Sequence, residues 1–314
     1  MSYKVYQMSE IDDCTTHLSD IDAFICFDVA EDRSLNALLK LNEKSNLNTA
    51  MVITLGTAGA SPASKGLNAQ NLVAEFVNVD KNLSSSIIPC LQMIEKYVNG
   101  KKSLGIDISS MPIPYIAQIL HFLHRKHESI SLTIYYTEPS HYNLNNLFEF
   151  SSFSGEIDIR TVPGYEGETS QVGEVKRVVF YLMGFEMTYL SKLIPQDVNP
   201  NEIAPINGFP SYFPKYKDIS LINNDTNFYA QDIEIVYSEA NNPFEAYNTM
   251  VVLANKFDGF RIDIIPVGTK PMALGACMFA LNQGDSKCRI IFPFPADYRP
   301  NQSTGCGKLW EYKL

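Results

Sequence analysis

The residues best suited to chemistry lie in the run Pro266-Val267-Gly268-Thr269-Lys270-Pro271, between an apolar segment and a helix-like one. Glycine permits close approach of the backbone, a threonine hydroxyl caps a helix or contacts an anion, and lysine adds a positive charge. Free N–H groups and the helix dipole at such a strand-to-helix turn attract phosphate. We therefore expect Gly268, Thr269 and Lys270 to bind an anion, with Lys270 exposed to solvent. The alternative is an ordinary turn that carries a surface lysine.

Charged residues also follow two other apolar segments. Glu31 and Arg33 come after residues 23–29, and Glu186 comes after residues 175–183. Carboxylates in such turns bind ribose hydroxyls or act as general bases. Alternatively, they are acids placed near a helix N-terminus, where the helix dipole stabilises them.

Motifs typical of several enzyme classes are missing. The sequence contains no GxSxG, HExxH, GxGxxG or Walker A motif. His121, His124 and His127 are spaced three residues apart, but no acidic or cysteine partner lies nearby, which favours a solvated helix end over a metal site. We therefore predict no catalytic residues, no metal and no cofactor.

The elements that position these residues alternate along the chain. Apolar segments typical of buried strands alternate with segments of helical period, as at residues 104–108, 112–127 and 131–136. This alternation is typical of βαβ units and a mostly parallel sheet. The predicted fold class is therefore α/β.

An internal repeat divides the chain. Residues 104–143 align without a gap on residues 260–299, at an offset of 156. Asp107 then falls on Asp263, and Tyr142 on Tyr298. The repeat predicts two tandem Rossmann-like halves with mostly parallel sheets related by a pseudo-two-fold axis.

The repeat also sets the expected domain boundaries. The first half spans residues 1–150, the second spans residues 174–314, and residues 151–173 connect them. Ligands of such folds bind beyond the carboxyl ends of the strands, so we expect a cleft shared by the halves. The first-half loop equivalent to 268–270 contains Ser109 and Ser110, which become candidate ligand contacts. The alternative is that duplication only enlarged the core.

Composition limits the partners. The net charge of −10 disfavours bulk nucleic-acid binding and anionic membranes, although one basic pocket for a small anion is compatible with it. No apolar run approaches the length of a membrane span, and the start of the sequence has no apolar signal region. The six cysteines include no CxxC pair and are expected to be reduced thiols. These features predict a cytoplasmic protein.

The run Gly268-Thr269-Lys270-Pro271-Met272 resembles the GTK-x-M motif of CARF domains, the CRISPR-associated Rossmann-fold sensors. Two such halves in one chain are also similar to SAVED, a fused pair of CARF-like modules. The resemblance implies binding of a cyclic oligonucleotide, with Gly268, Thr269 and Lys270 on its phosphate or ribose, and a role in antiphage defence. The first-half loop has Pro112 opposite Gly268 and no lysine, which departs from a symmetric site.

Three hypotheses about function follow. The first is a regulatory sensor that binds a nucleotide or another phosphorylated ligand and acts through a separate effector chain. The second is an interaction subunit with a vestigial pocket, and the third is an enzyme acting on a nucleotide or phosphorylated metabolite. No nucleophile–base constellation is evident, which disfavours the enzyme. The aromatic segment Tyr212–Tyr216 is the expected surface for the effector.

Overall fold

The structure is a computed structural model of the 314-residue chain. It describes residues 7–12, 18, 21–44, 47, 49–56, 72–143, 153–167, 176–185, 202–228, 233–284, 287–298 and 303–314. Glu186, one of the candidate ligand contacts, lies outside these described residues.

The first half is a parallel sheet flanked by helices. Its central strand is wholly buried, as its continuous apolar sequence predicts. The elements are β1 (Gln7–Ile11), β2 (Ala23–Asp28), α1 (Asn36–Lys44), β3 (Thr49–Leu55), β4 (Val73–Val79), α2 (Leu83–Val98), β5 (Ser103–Asp107), α3 (Ile113–Lys126) and β6 (Ser131–Tyr142).

The second half repeats this arrangement. Its elements are β7 (Phe153–Thr161), β8 (Arg177–Leu182), β9 (Glu202–Gly208), α4 (Pro214–Phe228), β10 (Val236–Ser238), α5 (Pro243–Lys256), β11 (Arg261–Pro266), α6 (Lys270–Gln283), β12 (Cys288–Tyr298) and β13 (Ser303–Lys313). Asn242 caps α5 by accepting hydrogen bonds from the backbone N–H groups of Phe244 and Glu245.

Among the described residues, the strands form two sheets with the same core order. One runs β1-β13-β6-β5-β2-β3-β4, and the other runs β10-β9-β8-β11-β12-β7. In each half the five parallel strands follow the Rossmann-type order 3-2-1-4-5. The α/β two-half architecture predicted from the sequence is therefore confirmed.

The first sheet takes one antiparallel strand, β13, from the second half, and we call β13 the exchanged strand. β7 lies between the two sets of parallel strands in sequence and pairs with β12 of the second sheet. β13 follows the second sheet but pairs with β6 in the first, where it also carries β1. The expected boundaries therefore differ from the pairing at two places: residues 151–173 contain a sheet strand, and residues 303–313 belong to the first sheet.

The two halves share one hydrophobic core. A single cluster of buried residues includes Phe27 and Ile106 from the first half and Phe180 and Ile264 from the second. The helices α3 and α6 contact each other across the interface. The carboxyl end of β5 and the N-terminus of α6 consequently lie together, which positions the site described below.

The strand register limits the ungapped repeat. Asp107 lies beside Tyr135 of β6, whereas Asp263 lies beside Arg289 of β12. If the two aspartates are equivalent, the final strands of the halves are displaced by two residues from the alignment. Tyr142 is then not the structural equivalent of Tyr298. The first copy has two more residues than the second between the aspartate and its neighbour on the final strand.

The aromatic segment Tyr212–Tyr216 is only partly at the surface. Tyr216 is 3% exposed, Tyr212 and Phe213 are half-buried, and Pro214 and Lys215 are exposed. The Tyr216 ring packs edge-to-face on Tyr142 of the first half, with centroids 5.4 Å apart, and its hydroxyl oxygen accepts a hydrogen bond from the Tyr142 N–H. Tyr216 therefore packs between the halves, and binding of an effector to this segment stays a prediction.

None of the helices in the described ranges combines the length and apolar content that a bilayer-spanning helix requires. Five cysteines fall within the described residues, and all five are free. Four of them are buried and Cys306 is exposed.

The pairing of β13 with β6 and β1 predicts that the first half does not fold alone. We expect residues 1–150, produced as a separate chain, to aggregate or stay unfolded, because they lack the strand that covers the edge of β6. Residues 151–314 keep all strands of the second sheet but leave β13 without its partners. Co-expressed, the two pieces should co-purify and unfold together. Gel filtration and thermal unfolding measure this, with the intact chain as control. A monomeric 1–150 fragment that unfolds cooperatively would contradict the prediction.

Candidate functional site

The turn between β11 and α6 has the geometry of an anion site at a helix N-terminus. Thr269 is the N-cap of α6, and its hydroxyl oxygen accepts a hydrogen bond from the Met272 N–H at 3.4 Å. The same hydroxyl donates to the carbonyl oxygen of Ala240. Among the described residues, no acceptor receives the backbone N–H groups of Gly268, Thr269 or Lys270. The sequence correctly placed this turn, but the Thr269 hydroxyl is already occupied.

Gly268 is required for packing within the protein. A Cβ atom at this position would lie 3.0 Å from the carbonyl oxygen of Met183. At Gly184 a Cβ would lie 2.1 Å from the carbonyl oxygen of Val267. The turns after β8 and β11 therefore touch backbone to backbone. Gly268 permits this close approach of two backbone segments. The sequence had instead suggested that Gly268 makes room for a bound anion.

Lys270 reaches across the interface between the halves. Its ammonium group donates to the carbonyl oxygen of Ser109 at 2.6 Å. The residue is half-buried, so the expectation of an exposed lysine is wrong. Burial, together with the nearby charge of Arg33, lowers the pKa of Lys270 to about 7, although Glu31 and Asp107 oppose the shift.

Arg33 and Glu31 form a buried ion pair beside Lys270. The Arg33 Nε lies 2.9 Å from a Glu31 carboxylate oxygen, and the two side chains are 5% and 6% exposed. Burial opposes the charge of each group. For Glu31, Arg33 and Lys270 outweigh burial and lower the pKa. For Arg33, Tyr136 and Glu31 outweigh it and raise the pKa.

The turn that carries Arg33 and Glu31 is held by the rest of the first sheet. Ala30 in this turn has a positive φ of 61°, which L-residues other than glycine seldom adopt. The Ser303 hydroxyl donates to Glu31 at 3.0 Å, and the Gly305 N–H donates to Asp32 at 2.7 Å. Both donors belong to β13, so the exchanged strand fixes the acidic turn.

Asp107 lies at the carboxyl end of β5 and is 1% exposed. One of its oxygens accepts hydrogen bonds from the N–H and the hydroxyl of Ser109. Its Oδ2 has no hydrogen-bond partner among the described residues. Burial raises the pKa of Asp107 to about 7, against the lowering effects of Ser109, Arg33 and Lys270. From the sequence, Asp107 was expected to be buried with a hydrogen-bond partner but was not a candidate ligand contact. Its place at a strand end is the signal for a site residue.

Asp263, its counterpart in the repeat, has a different environment. It is fully buried and pairs with Arg177 at 3.1 Å and with Arg289 at 2.9 Å. A buried charge in the middle of a strand needs partners, and the two arginines supply them. The two aspartates therefore differ in role: Asp263 joins three neighbouring strands, and Asp107 faces the cluster between the halves.

Ser109 and Ser110 are buried and use their hydroxyl groups within the protein. The Ser109 hydroxyl oxygen accepts the Thr137 N–H at 2.7 Å, and the Ser110 hydroxyl lies 2.9 Å from that of Ser34. The structure thus gathers Ser109, Ser110, Glu31, Arg33 and Lys270 at one place. Lys270 and the turn before it are partly exposed to solvent.

Four tyrosines that the sequence did not assign to the site surround this charged cluster. Burial raises the pKa of each tyrosine hydroxyl, so all four stay neutral hydrogen-bonding groups. They are Tyr136, Tyr142, Tyr212 and Tyr312. Tyr312 of β13 links the first sheet to the second half, since its hydroxyl donates to the carbonyl oxygen of Asn241. Tyr212 donates to the carbonyl oxygen of Ala240 within the second half, and its ring lies against that of Tyr136 of the first half, with centroids 6.1 Å apart.

The described residues contain no group of three or more His, Cys, Asp or Glu side chains placed to hold a metal ion. The ring of His121 packs against Tyr165, with centroids 5.4 Å apart.

No protein-family model matches the chain, and neither does any curated protein. Among solved structures, it is similar to a universal stress protein from Archaeoglobus fulgidus DSM 4304, with 12% identity and a TM-score of 0.25 over 90% of this chain and 98% of that one. It is also similar to the cytoplasmic domain of a prokaryotic cation chloride cotransporter, with 6% identity and a TM-score of 0.28 over 88% and 96% of the two chains. TM-scores this low support no conclusion about function.

The Arg33–Glu31 pair predicts a large effect on stability. Arg33→Met leaves the Glu31 carboxylate buried without its main partner and should lower the free energy of unfolding by about 3 kcal/mol. Adding Glu31→Gln should restore part of the loss. Lys126→Met breaks the exposed pair with Glu95 and serves as control, with a change below about 1 kcal/mol. Urea denaturation measures all three, and equal effects at Arg33 and Lys126 would refute the prediction.

The raised pKa of Asp107 predicts a pH dependence with a definite sign. The folded protein holds a proton on Asp107 that the unfolded chain releases near pH 3.8. This contribution to stability is therefore complete below about pH 4 and is lost as the pH rises to about 7. Asp107→Asn mimics the protonated group, so the stability difference between variant and wild type should grow in favour of Asn over this range. Urea denaturation at pH 4, 5.5 and 7 tests it, and a pH-independent difference would contradict it.

Proposed function

We propose that the chain is a regulatory sensor of the CARF or SAVED type, which binds a nucleotide or another phosphorylated ligand between its halves and signals through a separate effector chain. The supporting observation is the contact of Lys270 with the carbonyl oxygen of Ser109, beside Arg33 and Asp107. Residues from both halves meet there, at the carboxyl ends of the first sheet's strands, where ligands of open α/β sheets bind.

The local chemistry suits a phosphate. Three backbone N–H groups at the start of α6 lack acceptors among the described residues, and the helix dipole favours an anion at this end. Lys270 is the mobile cation nearest to them in sequence. A bound anion raises the pKa of Lys270 from about 7, so binding takes up a proton at alkaline pH.

The contacts also suggest how binding could alter the surface presented to a partner. Withdrawing the Lys270 ammonium from Ser109 toward a phosphate changes the charge balance around Glu31 and Arg33. Glu31 is bonded to Ser303 of β13, which pairs with β6 on one side and β1 on the other. The exchanged strand therefore connects the ligand site to a sheet edge.

A second function is favoured by one specific observation. The hydroxyl groups of Ser109 and Ser110 and the guanidinium group of Arg33 all have partners within the protein. A protein whose pocket had become vestigial would satisfy these groups internally in this way. An interaction subunit that assembles with other chains and binds no ligand is therefore the alternative.

Binding to Lys270 distinguishes the two functions. We expect the wild type to bind at least one of a panel of linear and cyclic nucleotides, and Lys270→Met to bind it about ten- to a hundredfold more weakly, the value of one charge-assisted contact. Affinity of the wild type should also be higher at pH 6.5 than at pH 8.5, because the ammonium form binds. Calorimetric titration measures both effects.

The control is Lys256→Met, which removes an exposed lysine at the end of α5, before β11 begins, whereas the turn follows the end of β11. Thermal unfolding of both variants shows whether each is folded. Equal affinities of wild type and Lys270→Met would place the ligand elsewhere. Absence of binding to every nucleotide would favour the interaction subunit.

A further inference from the structure

The two helix N-termini at the interface are unequal. α3 begins at Ile113 and α6 begins at Lys270. When the two helix starts are superposed, Met111 corresponds to Gly268, Pro112 to Thr269 and Ile113 to Lys270. This moves the correspondence by one residue from the ungapped repeat, which had placed Pro112 opposite Gly268.

The α3 end lacks the groups that make the α6 end suitable for phosphate. Pro112 has no N–H, and the Met111 N–H donates to the carbonyl oxygen of Ile108 at 3.3 Å. Of the three aligned positions only Ile113 keeps a free amide in the described structure, against three at α6. Met111 is fully buried, and an isoleucine takes the place of the lysine.

The first half presents acids to the same cluster. Glu31 follows strand β2 and Asp107 ends strand β5, and both interact electrostatically with Lys270. Asp107 keeps a buried Oδ2 without a partner among the described residues. Carboxyl groups accept hydrogen bonds from hydroxyl and amino groups, and in their charged form they repel phosphate. The unpartnered oxygen is a second, independent indication of a ligand group at this place.

We infer that the site takes an asymmetric ligand with a single phosphate position, such as a 5′-mononucleotide, whose phosphate lies at the start of α6 and whose hydroxyl or amino groups face the acids of the first half. The inference rests on the proposed function and specifies its ligand. A two-fold symmetric cyclic nucleotide needs two equal phosphate positions, and only one of the two helix ends supplies one.

The experiment compares three ligand classes on the intact chain by calorimetric titration. These are the four 5′-mononucleotides, the matching nucleosides, and cyclic dinucleotides and cyclic oligonucleotides of the same bases. We expect one mononucleotide to bind with one site per chain and at least tenfold more tightly than its nucleoside and than every cyclic ligand. Lys270→Met should remove the advantage over the nucleoside, and Lys256→Met should leave it intact.

The outcomes separate this inference from the proposed function. If a cyclic ligand binds tenfold more tightly than every mononucleotide, the single-phosphate inference is wrong and the sensor function stands. If a mononucleotide and its nucleoside bind equally, the phosphate position at α6 is wrong. If nothing in the three classes binds, the proposed function and the inference fall together.

Discussion

The pairing of the last strand of the chain with the first sheet is the constraint on which the rest of the structure depends. β13 follows the second half in sequence and pairs with β6, so the first sheet includes a strand from the other half. The shared core and the contact between α3 and α6 join the halves further. The carboxyl end of β5 thereby lies beside the N-terminus of α6, where the Lys270 ammonium group donates to the carbonyl oxygen of Ser109.

The cluster illustrates how burial and charge compensate each other between the halves. Two cations, Arg33 and Lys270, share a low-dielectric environment with Glu31 and Asp107. Burial dominates for Lys270 and Asp107, whose pKa values move toward neutrality, whereas the ion pair dominates for Glu31 and Arg33. The site therefore combines one permanent ion pair with two groups that change protonation near neutral pH.

The sequence predicted the parts of the fold that depend on local patterning. The expected strand 104–108 and helix 112–127 agree with β5 and α3 within one residue at each end, and the strand expected at 131–136 begins where β6 begins. β7 was missed because its sequence, Phe153–Thr161, alternates polar residues within a Gly/Ser/Glu-rich stretch. The turn 268–270 was found from its residue types. The burial of Lys270 was not, because it depends on Ser109, 161 residues earlier in the chain.

The position of β13 also has a consequence for how the chain folds. Glu311 of this strand bonds to Tyr135 of β6, which lies 176 residues earlier in sequence. Such a contact closes a long loop, and closure entropy makes long-range pairing slow. The first sheet is therefore complete only after the second half has been synthesised, and β1 gains its partner only then, since β13 lies between β1 and β6. Until that point the edge of β6 lacks its partner strand, and open edges of this kind favour pairing with other chains.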